Sequence, residues 1–158
     1  MADDATPKRS PADAPLLLDV MLGKLATYLR MCGYDAAYAL DRGIEADDEL
    51  AELAREEARL LVTRDAQLAD RSDGLLLTAK PVADQLRELA AAGFALDLTE
   101  PSRCAECNGE LVAVGEAEST PEYAPGASEV DVWRCPNCGK HFWKGSHWES
   151  VEETLREL

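Results

Sequence analysis

Residues 16–33 read LLLDVMLGKLATYLRMCG, and the hydrophobic period changes inside them. Leu16, Leu17 and Leu18 form an unbroken apolar run, which suits a strand buried on both faces. From Leu22 onward the apolar residues Leu22, Leu25, Ala26, Leu29 and Cys32 recur at helical spacing, and Gly33 supplies the stop. A two-side-buried strand feeding a helix is the opening of a β–α unit. Asp19 sits where the period changes, directly after three leucines, and a buried carboxylate is costly unless something pairs with it.

The same alternation continues downstream. Residues 34–39 form a second short apolar segment, and Asp47 or Asp48 is placed to cap a helix with Leu50, Leu53, Ala54 and Ala58 inward. Leu60-Leu61-Val62-Thr63 reads as a strand, residues 66–71 as a short helix, and Leu75-Leu76-Leu77-Thr78 as another strand. Pro81 opens a last helix with Val82, Leu86, Leu89 and Ala90 inward, stopped by Gly93. The order βαβαβαβα predicts an α/β fold, a parallel sheet with helices on both faces, over residues 15–100. Residues 1–14 are polar and proline-punctuated, without an apolar core segment, and read as a disordered tail rather than a signal peptide.

Beyond Pro101 the helical period stops. Residues 101–150 carry two cysteine pairs separated by an acidic insert rich in Pro, Gly and Ser, from Gly115 to Asp131. Val151, Leu155 and Leu158 then suit a short C-terminal helix over residues 151–158.

The 158-residue chain has 31 acidic and 16 basic residues, a formal charge of −15. That balance argues against a surface that binds polyanions everywhere, because lysines and arginines supply most non-specific affinity for phosphate. Two readings stay open: an acidic protein whose partner is not nucleic acid, or a high-salt proteome in which function survives in local basic islands. One such island is residues 133–148, WRCPNCGKHFWKGSHW, with Arg134, Lys140 and Lys144 and no carboxylate. No run of about 18 apolar residues occurs, so no membrane span is expected. The expected location is cytoplasmic, where cysteines remain reduced.

Cys104-x2-Cys107 and Cys135-x2-Cys138 supply four thiolates in matched pairs, the set that tetrahedral Zn2+ takes. Asn108-Gly109 and Gly139 follow where a knuckle turn needs positive φ. Two disulfides or a rubredoxin-like iron site are the rivals; Cys-x-x-Cys bridges are strained, and only CPNCG fits half of the iron pattern. A closed four-sulfur site leaves no open position for chemistry, so the zinc is expected to be structural. Cys32, on an apolar helix face, is expected to be packing.

Asp19 and Asp65 each end or follow an apolar strand, and in parallel sheets the carboxyl ends of strands line the ligand crevice. If those strands are neighbours the two carboxylates converge, and Asp47 at a helix N-terminus joins them. Such a cluster calls for a cation, and Mg2+ or Mn2+ takes oxygen ligands while keeping water positions. The bland readings are an N-cap for Asp47 and a turn aspartate for Asp65. A phosphorelay receiver is rejected, because Lys80-Pro81 follows Asp65 too closely and no acidic pair ends the first strand.

LLLDVMLGKLATYLRMCGYD, ADDELAELAREEARLLVTRD, RCAECNGEL and CPNCGKHFWKGSHW, in this order, resemble the PIN-like RNase family of the mut-7 C-terminal domain type, which carries a C-terminal zinc ribbon. The resemblance runs from about Leu16 to Trp148. It implies a PIN-like fold fused to a zinc ribbon and metal-dependent ribonuclease activity on RNA phosphodiester bonds. Position by position it implies catalytic roles for Asp19, Asp47 and Asp65, holding Mg2+ or Mn2+. Asp84 is the candidate for a fourth acid and Asp48 a substitute for Asp47. Lys24 and Arg64 lie beside the acids as phosphate contacts or as surface ion pairs. Trp143, Lys144, His147 and Trp148 either stack bases and meet phosphates or pack the ribbon onto the nuclease domain. The alternatives to a nuclease are a non-catalytic RNA- or ribosome-binding adaptor and a protein-interaction module that works through its acidic surface.

Overall fold

The structure, a computed structural model, describes residues 9–11, 13 and 15–158, so most of the expected tail over residues 1–14 lies outside the described residues. Four strands, β1 (Leu16–Leu18), β2 (Ala36–Tyr38), β3 (Leu60–Thr63) and β4 (Leu75–Leu76), form a wholly parallel sheet in the order β2-β1-β3-β4. The leucine run of β1 therefore sits in the interior of the sheet, with Leu17 opposite Ala37 on one side and Leu61 on the other.

Side-chain alternation along β1 divides the core in two. Leu16 and Leu18 join Val62 against α1 (Gly23–Met31) and α4 (Val82–Ala91), through Leu25, Leu29, Leu86 and Leu89. Leu17 and Leu61 face the other way, against α2 (Asp47–Glu56) and α3 (Ala66–Ser72), through Leu50, Ala54 and Leu68. Each of these buried leucines contributes about 1.5–3 kcal/mol of transfer free energy. The unbroken apolar run is thus explained by helices on both faces, as the sequence predicts.

Several local details differ from the sequence expectation; Ala58, expected inward on the second helix, is exposed past its end with φ 54°. A 3-10 turn, Val20–Leu22, precedes α1, because Asp19 caps it by accepting the Val20 N–H at 2.7 Å. The residue that caps α2 is Ala46, with no side-chain cap, so neither Asp47 nor Asp48 has the N-cap role. Both stand inside the first turn, where the helix dipole favours negative charge.

The C-terminal module is a small antiparallel sheet, β5 (Val112–Ala113), β6 (Trp133–Arg134) and β7 (His141–Phe142), in that order. The last helix, α5 (Ser146–Arg156), starts earlier than the expected residues 151–158 and takes in His147 and Trp148. Val151 of α5 is buried, and Leu155 packs against the core on the α1 side.

A buried polar joint fastens the ribbon to the sheet. Arg30 of α1 is only 4% exposed, and its Nε donates to the Ala36 carbonyl at 2.9 Å while Nη1 donates to the Ala105 carbonyl at 3.1 Å. Asp35, which leads into β2, accepts from Arg59 at 2.8 Å and from the Asn108 amide at 2.7 Å. The Asn108 side-chain carbonyl oxygen in turn accepts the Ala36 N–H at 2.9 Å. Among the described residues no helix is long and apolar enough to cross a membrane.

Candidate active site and metal centre

β1 and β3 are direct neighbours, so their carboxyl ends, and with them Asp19 and Asp65, come to one edge of the sheet. Thr63, fully buried at the end of β3, lies between them. Its Oγ1 donates to Asp19 Oδ2 at 2.7 Å and accepts the backbone N–H of Asp65 at 3.0 Å. Asp65 caps α3, its Oδ1 accepting the amides of Gln67 at 2.9 Å and Leu68 at 3.2 Å. The turn-aspartate reading of Asp65 therefore holds, but it occupies one carboxylate oxygen and leaves Oδ2 without a partner among the described residues. Both carboxylates are oriented by hydrogen bonds rather than left to rotate.

Asp47 is exposed at the start of α2 and takes no ion pair or hydrogen bond among the described residues. The two weaker acids are engaged elsewhere: Asp48 pairs with Arg71 at 2.8 Å, and Asp84 with Arg87 at 2.6 Å, both on the surface. Lys24 is exposed in the first turn of α1. Arg64 is half-buried next to Thr63, with its Nε buried and unpartnered among the described residues.

The cysteines form a tighter set. Among the described residues, Cys104, Cys107, Cys135 and Cys138 are the one group of three or more His, Cys, Asp or Glu close enough to hold an ion together, with all four sulfurs within 4.8 Å of one another. Cys104 Sγ is 3.6 Å from Cys138 Sγ, and Cys107 Sγ is 3.5 Å from Cys135 Sγ. Those separations exceed the ~2.05 Å of a disulfide and approach the ~3.8 Å edge of a tetrahedron with ~2.3 Å metal–sulfur bonds. The cage fits a metal such as zinc.

Each knuckle is closed by its own backbone. Asn108 N–H donates to the Cys104 carbonyl at 2.8 Å, and Gly139 N–H to the Cys135 carbonyl at 2.7 Å. Positive φ falls on Asn108 (72°) and Gly139 (82°). Gly109 serves space instead: a Cβ there would stand 3.0 Å from Cys135 Sγ. Burial pushes the Cys104 thiol up. Burial acts the same way on Cys107, but the Asn137 amide, donating at 3.3 Å, the Gly109 backbone and the neighbouring sulfurs outweigh it and bring that thiol down to about 7. Thiolate character, the form that binds metal, is thus favoured at Cys107. Cys32 is buried in the α1 core, as expected of packing.

The family model described as Mut7-C RNAse domain matches residues 14–155. The chain belongs to the Mut7-C RNAse domain family. No curated protein matches it. The Mut7-C match spans the parallel sheet, both knuckles and nearly all of α5, so sheet and ribbon belong to one family unit.

The acids and cysteines of this Mut7-C chain stand out in its sequence, but several supporting residues do not. Thr63 looks like a strand end; only the 2.7 and 3.0 Å contacts make it a link between the two aspartates. Asn108 looks like a turn residue, yet its side chain anchors the ribbon to Asp35. Tyr123, inside the acidic insert, accepts the His141 N–H at 3.0 Å and lies beside Trp143, with ring centroids 6.2 Å apart. A lone aromatic within a Glu-rich insert is the signal that could have pointed to it.

Proposed function

We propose that this chain is a metal-dependent ribonuclease that hydrolyses RNA phosphodiester bonds at the carboxyl edge of β1 and β3. The observation that carries this reading is the Thr63 bridge, which holds the Asp19 carboxylate and the Asp65 backbone at one sheet edge. The family's RNAse description supports it. Asp19, Asp47 and Asp65 are the residues that would hold Mg2+ or Mn2+. A divalent ion so held supplies Lewis acidity and an activated water. The chain's own part is orientation: Val20 N–H and Thr63 Oγ1 direct the two oxygens of Asp19, and the α3 amides direct Asp65. Lys24 and Arg64 stand beside this edge as phosphate contacts. Trp143, Lys144, His147 and Trp148 are the RNA contacts on the ribbon side. Four-sulfur Zn2+ is the structural metal.

Turnover of single-stranded RNA in Mn2+, Mg2+ or chelator tests this, with Asp19→Asn as the control. Cleavage that needs the ion and drops at least a hundredfold in the variant is expected. Equal rates for purified, zinc-loaded wild type and variant sink the assignment.

A second reading is a non-catalytic RNA- or ribosome-binding adaptor. The observation favouring it is that the tight ion-binding group among the described residues is the cysteine set, not the aspartates. Metal-independent RNA binding without turnover would establish that reading instead.

A further inference from the structure

A cavity of about 330 Å3 lies where the first knuckle, the ribbon sheet, the start of α5 and the α1 residues Thr27 and Met31 meet. Its size falls in the roughly 300–1,000 Å3 range of small-ligand clefts. Aromatic rings dominate the wall: Tyr123, His141, Phe142, Trp143 and Trp148. Tyr123 is tilted 36° from Trp143 and stands edge-on to His141 at 78°. His141 Nδ1 is buried and has no partner among the described residues, so it is a polar atom awaiting a hydrogen bond.

Charge at the rim points to an anion-bearing ligand. The chain has five lysines and a formal charge of −15, yet Lys140 lines the cavity and Lys144 lies over the Trp148 ring, 5.5 Å from its centroid. Their partners are surface carboxylates, Glu106 for Lys140 at 3.8 Å and Glu100 for Lys144. Glu106 also lines the cavity. Such exposed pairs are worth about 0–1 kcal/mol and open easily to a competing phosphate. α5 begins here with Gly145 as its cap and no side chain capping its first amides, and Glu149 stands in its first turn.

We infer that this cavity takes one unpaired nucleobase of the RNA, stacked among Trp143, Trp148 and Tyr123 and read by His141 Nδ1, with the flanking phosphates on Lys140 and Lys144. This deepens the proposed ribonuclease reading and rests on it for RNA as the substrate. A base already stacked in a duplex cannot enter such a pocket, so the structure assigns the chain to single-stranded or locally unpaired RNA. Tyr123 comes from the acidic insert, so the insert has a role in binding, as the far wall of the base site.

The test is binding, not cleavage. Full-length, zinc-loaded Asp19→Asn protein is titrated, with fluorescence anisotropy as readout, against a short single-stranded RNA, an abasic strand of equal length and a blunt RNA duplex. The single strand is expected to bind about tenfold more tightly than either control, the size of one base–aromatic stack. That preference should survive higher salt, which weakens the phosphate contacts common to all three. Trp148→Leu should erase the preference and Trp148→Phe should keep most of it, with circular dichroism and zinc content checking the fold. His141→Ala, which leaves both tryptophans, should weaken single-strand binding only. Equal binding of the abasic strand or duplex, or an unchanged preference in Trp148→Leu, overturns the assignment. The two readings fail separately: base preference without turnover in wild type removes the nuclease, and turnover without base preference removes the base site.

Discussion

Cys104 and Cys107 sit on one turn, closed by the Asn108 amide, whereas Asp19 and Asp65 are brought together by two strands that meet across a sheet. Cys135 and Cys138 repeat the first arrangement. Only the meeting of the two knuckles needs tertiary structure, and the resulting sulfurs stand at separations suited to one tetrahedral ion. At the aspartate edge each candidate acid belongs to a different element, and buried Thr63 ties Asp19 to Asp65. A site built from turns is specified by residue spacing; a site built from strand order is specified by the whole core behind it. The first is lost by removing a ligand or its metal. The second should survive the loss of an aspartate as a fold.

The strongest way to break this contrast is at the cage. Cys135→Ser should release the metal and unfold β5–β7, since apparent binding energies of structural zinc sites run to about 10–16 kcal/mol. Near-ultraviolet dichroism of the three tryptophans, all in residues 133–148, should collapse while far-ultraviolet helix signal from α1–α4 largely remains. Loss of both signals together would show that the sheet cannot stand without the ribbon.

Next in size is the reverse experiment at the other site. Asp65→Asn keeps an N-cap, because Asn caps helices about as well as Asp, but removes the carboxylate charge. Stability should stay within about 1 kcal/mol while RNA cleavage falls at least a hundredfold. Melting temperature and single-turnover rate together decide this. A stable variant with full activity leaves Asp65 as a cap and nothing more.

Thr63→Val is a milder change between the two. The shape is kept, but Asp19 Oδ2 loses its donor and the Asp65 amide its acceptor, at a cost of about 1–3 kcal/mol. Cleavage should fall about tenfold, with Thr63→Ser restoring it; a merely structural threonine would lower the melting temperature without touching the rate of the folded protein.

The smallest expected effect is beside the joint, where Arg59 bridges Glu57 and Asp35. Arg42 and Arg59 hold the Glu57 carboxyl down to about 2, from an ordinary 4.5. Burial works against the charge on Asp35, yet Arg59 and Asn108 outweigh it and keep that carboxyl below its usual value. Folded values below the unfolded ones mean the contribution is complete above about pH 4.5 and drains away as pH falls towards 2. The melting-temperature gap between wild type and Glu57→Gln should therefore shrink over that window. A gap that ignores pH contradicts the ion-pair account.

Much of the sheet is legible in the sequence because its period is simple: three consecutive leucines, then a helix stripe, then Leu60–Thr63. The cage is legible because a Cys-x2-Cys turn is a local object. Strand order is not, since nothing in the apolar run of β3 says that it pairs with β1 rather than β2 alone. Thr63 and Asn108 escape for the same reason, their partners lying 44 and 73 residues away. The start of α5 is hidden because Gly145-Ser146 resembles loop, and Trp148, at helical spacing from Val151 and Leu155, reads equally well as ribbon packing or an RNA contact. Asp47 suits a cap by residue type, but Ala46 takes that position and the acidic first turn is favoured by the helix dipole instead.

Arg30 has a consequence for how the chain is made. Its guanidinium needs the Ala36 carbonyl, complete once β2 exists, and the Ala105 carbonyl, which belongs to the first knuckle. During synthesis the first knuckle, with Ala105 and Asn108, emerges on the order of seconds after the end of α4. Throughout that interval the sheet can close while one arm of Arg30 and the Asn108 side of Asp35 have only solvent for company. The nascent protein therefore passes through a stage in which its parallel core is finished and its seam is still wet. Arrival of Ala105 and Asn108 is what seals it.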